Sequence, residues 1–205
     1  MNILLYGGSF NPPHNGHIHL LRNVLGSLKT PIDKAFIIPA KVSPFKTEQS
    51  SFQVSGALRL EMCKSFPRRI GKTAVEVSDC EINRPGDVSY TYDTILYFLK
   101  EFRGSKIFLL MGNDTYENFN KWYKAEEILK LVRVCISVRE KTVEFPAKKT
   151  DGVYFIPDEN PVEISSSEIR EKIKSGDSVL GMVPFEIFPI VTKIYANDDR
   201  YSDTI

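Results

Sequence analysis

Short, mainly apolar runs alternate along this chain with stretches in which apolar residues recur every three or four positions. Continuous apolar runs of this length are typical of parallel strands that are covered on both faces. The runs lie at residues 3–6, 35–38, 73–77, 106–111, 132–138 and 152–156. Helical periodicity between them predicts three helices. One begins near Asn15, and the other two lie over residues 57–63 and 94–102. The sequence therefore predicts an α/β fold, a doubly wound, mostly parallel sheet with helices on both faces.

Composition and charge exclude several other classes of protein. The 205 residues include 27 basic and 26 acidic side chains, so a formal charge of +1 provides no bulk field to hold a nucleic-acid backbone or an anionic membrane. No apolar stretch reaches the length of a membrane span. Three widely spaced cysteines without a Cys-x-x-Cys pair favour reduced thiols. We expect a cytoplasmic protein with one domain over residues 1–196 and a polar C-terminal tail over residues 197–205.

The first apolar run leads into the sequence GGSFNPPHNGH, which joins the first predicted strand to the first predicted helix. Ligands of doubly wound folds bind at such a junction, outside the carboxyl ends of the strands. Gly7 and Gly8 let the backbone approach a ligand, and Ser9 adds a hydroxyl beside the unpaired N–H groups of the helix N-terminus. His14 and His17 lie about one helical turn apart and can donate hydrogen bonds to one anion. The stretch predicts a phosphate site. The alternatives are a turn with two exposed histidines and a zinc site, which no cysteine cluster or His-Glu-x-x-His motif supports.

A second stretch, EISSSEIREKIKSG, carries a further set of anion-binding groups. Ser165 and Glu168 have the spacing of a capping box, which predicts that a helix starts here. Arg170 then falls in the first turn, where a cation opposes the helix dipole unless an anion is bound nearby. Together with the hydroxyls of Ser166 and Ser167, its guanidinium predicts a binding site for a polyphosphate.

These motifs resemble the two signatures of the nucleotidylyltransferase superfamily, and the middle of the chain resembles its nicotinate mononucleotide adenylyltransferase branch. The middle matches are Arg59 in ALRLEM, Asp79 and Glu81 before RPGDVSYTYDT, and the stretches GNDTYENFNKW and AEEIL. All matches run in order from Ile3 to Arg170. Class I aminoacyl-tRNA synthetases also carry a His-x-Gly-His turn, but they are usually much larger and use a lysine-rich second motif. The resemblance implies a Rossmann-like nucleotidylyltransferase fold. It also implies an enzyme of NAD biosynthesis that joins ATP to nicotinate mononucleotide, giving deamido-NAD and pyrophosphate.

The resemblance implies roles for residues that bind ATP. His17 is expected to contact the α-phosphate, His14 nearby phosphate oxygens, and Arg170 the β- and γ-phosphates, which makes these three the implied catalytic residues. The other implied ATP-binding residues are Gly8, Ser9, Phe10, Gly112, Asp114, Ser166 and Ser167. A cap at a helix N-terminus is the structural alternative for Asp114. Mg²⁺ is the implied cofactor, held mainly by ATP phosphates and water and not by a set of protein ligands.

The resemblance also implies a site for the mononucleotide. Trp122 is expected to stack on the pyridine ring, and backbone N–H groups around Thr91 are expected to bind the nicotinate carboxylate. Lys46 is an implied phosphate contact, although Phe45 stands where the family often has a histidine. A core role for Trp122 and a solvated side chain for Lys46 are the alternatives.

Other functions stay open from the sequence alone. The alternative enzyme is an adenylyltransferase for nicotinamide mononucleotide or for another small phosphorylated acceptor, such as phosphopantetheine. A nucleotide-binding sensor without turnover is the alternative from another class, and the intact His14, His17 and Arg170 argue against it. The expected partners are the small molecules ATP and nicotinate mononucleotide, without nucleic acid or membrane, and a homo-oligomer stays open.

Overall fold

A seven-stranded sheet lies at the centre of the computed structural model, which describes residues 1–42, 54–86, 88–139 and 151–196. Its strands are β1 Asn2–Gly8, β2 Lys34–Pro39, β3 Arg69–Ile70, β4 Thr73–Val77, β5 Lys106–Gly112, β6 Arg133–Val138 and β7 Val153–Pro157. The order across the sheet is β3-β4-β2-β1-β5-β6-β7, and all neighbours are parallel except β3 and β4. The predicted doubly wound, mostly parallel sheet is confirmed. The antiparallel β3 was not predicted, because two residues carry no readable periodicity.

The strand order reverses at β1, which pairs with β2 on one side and with β5 on the other. A crevice forms outside the carboxyl ends of the strands at such a switch point, because the connecting segments leave in opposite directions. Gly7 and Gly8 are the last residues of β1. The stretch GGSFNPPHNGH therefore starts at the place where a doubly wound protein binds its ligand.

Helices cover both faces of the described sheet, as predicted. The α-helices are α1 Asn15–Ser27, α2 Gly56–Cys63, α3 Thr91–Glu101, α4 Asn113–Tyr116, α5 Ala125–Leu131, α6 Ser166–Lys174 and α7 Phe188–Ala196, and Phe119–Lys121 and Phe185–Ile187 form 3-10 helices. Successive residues of β1 point to opposite faces. Leu4 packs in one core with Leu21 of α1, and Leu5 packs in a second core with Ile95 of α3.

A third apolar cluster holds α6, which carries the second motif, against the C-terminal helix and α2. The cluster includes Ile169 and Ile173 from α6, Val191 and Ile194 from α7, and Met62 from α2. The hydroxyl of Ser165 accepts a hydrogen bond from the backbone N–H of Glu168 at 3.1 Å, so the predicted helix start is confirmed. The cluster and the cap together fix where the second motif begins.

Several helical features differ from the sequence prediction. Helix α3 begins at Thr91 and not at Thr94, because its first turn lacks the apolar periodicity on which the prediction rested. Helix α5 was not predicted because it is only seven residues long. Helix α7 was missed because Pro189 interrupts the pattern, although proline is tolerated in the first turn of a helix.

Several sequence predictions fall at the limits of the described residues. The predicted tail at 197–205, Lys46 and most of the loop over residues 140–151 lie outside them, so the predicted domain boundary at residue 196 stays a prediction. Cys63, Cys80 and Cys135 are free thiols, as their spacing predicts. None of the helices in the described ranges has the length and apolar character needed to cross a membrane.

Candidate active site

A cavity of about 570 Å³ opens at the carboxyl ends of β1 and β5. The lining includes the following residues predicted from the sequence: Gly8, Ser9, Phe10, His17, Thr91, Gly112, Asp114 and Trp122. The volume lies in the range that is typical of small-molecule sites. His14, Ser166, Ser167 and Arg170 do not line this cavity, and Lys46 lies outside the described residues. The fold therefore brings most of the predicted site together around one opening.

The two histidines of the first motif lie against each other. Their ring centroids are 3.6 Å apart, with an angle of 32° between the ring planes. The backbone N–H of His14 donates to Nδ1 of His17 at 3.1 Å, so a neutral His17 ring carries its proton on Nε2. His14 is the N-cap of α1 and is 3% exposed, whereas His17 lines the cavity. His17 is therefore the histidine that presents a ring N–H at the cavity.

Both histidine rings are held in their neutral form. Burial lowers the pKa of His14 to about 3, and the positive charge of Arg139 acts in the same direction. Burial also lowers the pKa of His17 well below its usual 6.5, with further lowering by His14 and Arg139. A neutral His17 can offer a ligand a directed N–H group but not a full positive charge.

Gly16 lies at a close approach between the two motifs. A Cβ atom at this position would lie 3.0 Å from Nδ1 of His14 and 3.3 Å from the carbonyl oxygen of Ile164. Contacts this short require a neighbouring group to move, and one of the two is backbone. The glycine in the His-x-Gly-His stretch is therefore explained by the space available beside His14.

Phe10 shapes the turn that faces the cavity. Its φ of 47° lies in the left-handed region, which bulky residues rarely adopt. The ring is buried, with its centroid 5.5 Å from that of Tyr6, 4.9 Å from that of His17 and 5.7 Å from that of Phe66. Packing therefore stabilises an unfavourable backbone conformation next to His17.

Hydrogen bonds from side chains of the second motif to backbone carbonyls tie it to the first motif. The Ser166 hydroxyl donates to the Pro12 carbonyl at 2.8 Å, and Nη1 of Arg170 donates to the Asn11 carbonyl at 2.7 Å. Nη2 of Arg170 also donates to the hydroxyl oxygen of Ser167 at 3.1 Å. The two motifs form one unit, and the phosphate contacts expected of these three side chains stay predictions.

The buried guanidinium of Arg59 links the first motif to two other segments of the chain. Arg59 donates from Nη1 to the Ser9 carbonyl at 2.7 Å, from Nη2 to the Lys41 carbonyl at 3.0 Å, and from Nε to the Val54 carbonyl at 3.0 Å. Such charge-assisted bonds compensate for the burial of the cation, which lowers the pKa of Arg59. The sequence singled out Arg59 only as a match to a family. The structure shows that it holds the cavity-lining Ser9 against two other segments.

The cavity is also lined by aromatic residues and by the N-terminus of α3. Trp122 packs against Phe119, with ring centroids 5.3 Å apart, and also lines the cavity, so it has both a core contact and a ligand-facing position. Thr91 is the first residue of α3, where backbone N–H groups have no carbonyl partner within the helix. Tyr90 and Tyr123, with ring centroids 4.9 Å apart, extend this wall.

Several cavity residues were missed as site residues in the sequence. They include Glu81, Ser89, Tyr90, Asn118, Lys121, Tyr123 and Arg139. Arg139 directly follows β6, as Asp114 closely follows β5, and this position at the shared carboxyl edge is the signal that would have found it. Glu81 accepts a hydrogen bond from the Thr94 hydroxyl at 2.6 Å, and burial raises the pKa of its carboxyl group. Asn118 is the N-cap and Lys121 the last residue of a three-residue 3-10 helix, which is too short to show a periodic pattern in the sequence.

Comparisons with known proteins identify the family. A family model described as cytidylyltransferase-like matches residues 5–172. A relative from Aliarcobacter butzleri (strain RM4018), named "Probable nicotinate-nucleotide adenylyltransferase", is 34% identical over 178 residues, covering 84% of this chain and 88% of the relative. A relative of the same name from Hydrogenobaculum sp. (strain Y04AAS1) is 33% identical over 198 residues, covering 96% of this chain and 99% of the relative. The solved structure titled "Plasmodium falciparum nicotinic acid mononucleotide adenylyltransferase complexed with NaAD" shares the fold, with a TM-score of 0.76, 17% identity, and coverage of 99% of this chain and 98% of that one. The chain therefore belongs to the nicotinate-nucleotide adenylyltransferase family, within the cytidylyltransferase-like proteins.

Proposed function

We propose that this chain transfers the adenylyl group of ATP to nicotinate mononucleotide, forming nicotinate adenine dinucleotide and pyrophosphate. The observation that carries the proposal is one cavity lined by His17 and also by Trp122 and the N-terminus of α3. A nucleotide phosphate and a pyridine carboxylate need these two kinds of surface. Family relatives that are 33% and 34% identical over most of the chain support the same reaction.

The reaction depends mainly on positioning. An oxygen of the acceptor's 5′-phosphate attacks the α-phosphorus of ATP in line, the bond from that phosphorus to the pyrophosphate oxygen breaks, and a new phosphoanhydride forms. This exchange requires no proton from the protein, so neutral histidines suit it. His17 donates its Nε2–H to a non-bridging oxygen of the α-phosphate, where charge is redistributed in the transition state.

The second motif binds the outer phosphates of ATP in this proposal. Helix α6 is nine residues long, and its N-terminus lies beside the first motif through the contact between Ser166 and Pro12. Its N–H groups and dipole favour an anion, and Arg170 and Ser167 add a cation and a hydroxyl. We keep the expected phosphate contact of His14, whose buried Nδ1 has no hydrogen-bond partner among the described residues.

Mg²⁺ is proposed to bind mainly to the ATP phosphates and to water. Within the described ranges, no group of three or more His, Cys, Asp or Glu side chains is arranged to hold a metal ion. Asp114 lines the cavity and fits a magnesium ion that uses one carboxylate together with substrate phosphates. When bound, the ion would reduce the repulsion between the two phosphorylated substrates.

The acceptor's carboxylate is proposed to bind the backbone N–H groups around Thr91. These neutral donors lie at the positive end of the α3 dipole, which favours an anion. A carboxamide would turn its own NH₂ donor toward them and leave polar groups unpaired, at a cost of about 1 to 3 kcal/mol for each group. We therefore expect the acid to be preferred over the amide by roughly ten- to a hundredfold in kcat/KM.

The test is pyrophosphate release from ATP with each candidate acceptor. We expect release with nicotinate mononucleotide and much weaker release with nicotinamide mononucleotide or phosphopantetheine. Equal use of the acid and the amide would contradict the carboxylate site. ATP binding without turnover on any of these acceptors would instead favour a nucleotide sensor.

Trp122 provides a second test of the acceptor end. Stacking acts on the ring of either acceptor, so Trp122→Ala should lower kcat/KM for the acid and the amide with only a modest change in their ratio. Trp122→Phe is the matched control because it keeps an aromatic face. Unchanged kinetics in Trp122→Ala would assign this residue to the core and not to the acceptor site.

We also propose that the protein is cytoplasmic and acts on small molecules. Its three free cysteines suit a reducing compartment. Its formal charge of +1 provides no general attraction for nucleic acid or anionic membranes.

A further inference from the structure

The third histidine of the chain makes a contact far from its own position in sequence. Nε2 of His19, on α1, lies 3.0 Å from one carboxylate oxygen of Asp158 and 2.9 Å from the other. The His19 side chain is 30% exposed, and the Asp158 side chain is 5% exposed. One helical turn further along α1, Nδ2 of Asn23 donates to the Pro157 carbonyl at 3.2 Å. Helix α1 is therefore attached through two side chains to the end of β7.

A buried carboxylate needs a partner, and the fold provides Asp158 with His19. An unpaired carboxylate in a buried position is costly, so it is retained only where another group satisfies it. Among the described residues, His19 is the side chain that bonds the Asp158 carboxylate. The backbone N–H of Asp158 donates to the Val138 carbonyl at 2.9 Å, which fixes its place beside the end of β6. The contact differs from an ordinary surface ion pair because one partner is almost fully buried.

Asp158 lies at the start of the segment that leads into the second motif. Ser165, the N-cap of α6, lies seven positions after Asp158. At the far end of this segment, Ser166 donates to the Pro12 carbonyl at 2.8 Å. The segment is therefore held at both ends by the strand-turn-helix unit that carries the first motif, through His19 at one end and through Pro12 at the other.

We infer that His19 and Asp158 are positioning residues that set the second motif against the first for ATP binding. The inference rests on the proposed function, in which the two motifs hold phosphates of the same ATP molecule. Neither residue lines the cavity, and neither is a catalytic residue. The acceptor end is formed by α3 and Trp122, which come from other parts of the chain, so the pair should act on ATP and not on the mononucleotide.

The experiment compares His19→Ala, Asp158→Ala and the double variant with the parent, because each substitution removes one partner of the contact. We expect each single variant to raise the KM and the Kd for ATP about five- to tenfold, with kcat and the KM for nicotinate mononucleotide little changed. The double variant should be no worse than the singles, because the residues act through one contact. His19→Gln should restore much of the ATP affinity, since its amide nitrogen can donate to Asp158.

Arg22→Ala is the matched control, because Arg22 is an exposed residue on the same helix. It should leave every constant unchanged. Unchanged ATP constants in His19→Ala, equal rises in both KM values, or additive effects in the double variant would overturn the inference. Should His19→Ala fail to fold, Asp158→Ala carries the same comparison, because it removes the other partner without leaving a buried carboxylate unpaired. Calorimetric titration with ATP alone measures the Kd for ATP without the acceptor. A parent protein without turnover would therefore reject the proposed function, while the Kd values would still test the role of His19 and Asp158.

Discussion

His14 and His17 are packed ring against ring, so protonating either one would place a cation in a buried site that already faces the charge of Arg139. The histidines therefore stay neutral, and the hydrogen bond from the His14 backbone to His17 Nδ1 assigns the remaining proton to Nε2. A directed N–H in a buried site needs no rearrangement when charge moves in the transition state. This geometry makes His17 the residue on which turnover should depend most.

Removing the His17 side chain should affect kcat more than ATP binding. His17→Ala is expected to lower kcat by roughly two orders of magnitude, the usual effect of losing one preorganised donor. His17→Gln keeps an N–H donor and should recover part of the rate. Steady-state pyrophosphate release measures both constants, and thermal unfolding checks that the variants fold. A folded His17→Ala variant with near-parental kcat would remove His17 from the mechanism.

Arg170 should show the opposite balance between the two constants. Its guanidinium is proposed to hold phosphates that are charged in the ground state and in the transition state, so Arg170→Ala should raise the KM for ATP about tenfold with a smaller loss of kcat. Lys172→Ala is the matched control, because it removes another cation from the same helix. An equal KM for ATP in the two variants would contradict the proposed phosphate contact of Arg170.

The sequence predicted the identities of these histidines and of Arg170, but it did not predict what surrounds them. Their residue types and their spacing, which are local information, predict phosphate binding. The hydrogen bond from Arg59 to the Ser9 carbonyl joins residues 50 positions apart, and the tautomer of His17 depends on how its ring is placed against the His14 backbone N–H. Such contacts leave no periodic trace in the sequence.

At the scale of elements, the two glycines of α1 lie in different surroundings. Gly16 lies in the first turn, where a Cβ would lie 3.0 Å from His14 Nδ1, and Gly26 lies in the last turn, where a Cβ would meet nothing within 4 Å. The first turn is shaped by its contacts with His14 and Ile164, whereas Gly26 lies on the exposed face of the last turn. The same substitution at the two positions should therefore have opposite effects.

Gly16→Ala should impair activity, and Gly26→Ala should stabilise the protein. In an exposed helix, alanine is favoured over glycine by about 0.5 to 1 kcal/mol, which is the gain expected for Gly26→Ala. At position 16 this preference is opposed by the contacts with His14 and the Ile164 carbonyl, so kcat/KM should fall by about tenfold or more. Urea unfolding and pyrophosphate release measure the two effects. Parental activity in Gly16→Ala would show that the turn can accommodate a methyl group.

The longer elements were readable from periodicity, and the short or irregular ones were not. Helix α1 starts at Asn15, as predicted, because thirteen residues display a clear apolar face. Helix α7 was missed, yet it contributes Tyr195, whose hydroxyl donates to the side-chain oxygen of Asn11 in the first motif. A tertiary contact of this kind is decided by where the chain returns and not by the local pattern.

At the scale of the whole molecule, the sheet order brings together motifs that are far apart in sequence. Because β1 lies between β2 and β5, residues from the carboxyl ends of β1, β5 and β6 reach one cavity. The alternation of strands and helices predicted this class of fold. The order of the strands and the attachment of α6 to the first motif required the structure, since several orders are compatible with the same alternation.

Because His14 and His17 are buried in their neutral form, the stability of the protein should depend on pH. The pKa of His14 is lowered by burial to about 3, and that of His17 is lowered by burial well below 6.5. Below about pH 6.5 the unfolded chain therefore binds more protons than the folded chain, and the free energy of unfolding should fall as pH falls. Burial raises the pKa of the Glu81 carboxyl group, which acts in the opposite direction because the folded state then holds that proton more tightly.

Comparison with His17→Gln separates the histidine contribution from that of Glu81. The variant keeps Glu81 but removes one buried imidazole, so its free energy of unfolding should fall less steeply than that of the parent between about pH 7 and pH 5. Urea unfolding at several pH values measures this slope for both proteins, and the comparison does not require equal stability at pH 7. Above about pH 7 the two curves should run parallel, because imidazole is neutral in both folded and unfolded chains. Parallel curves over the whole range would mean that His17 is not held neutral by the fold.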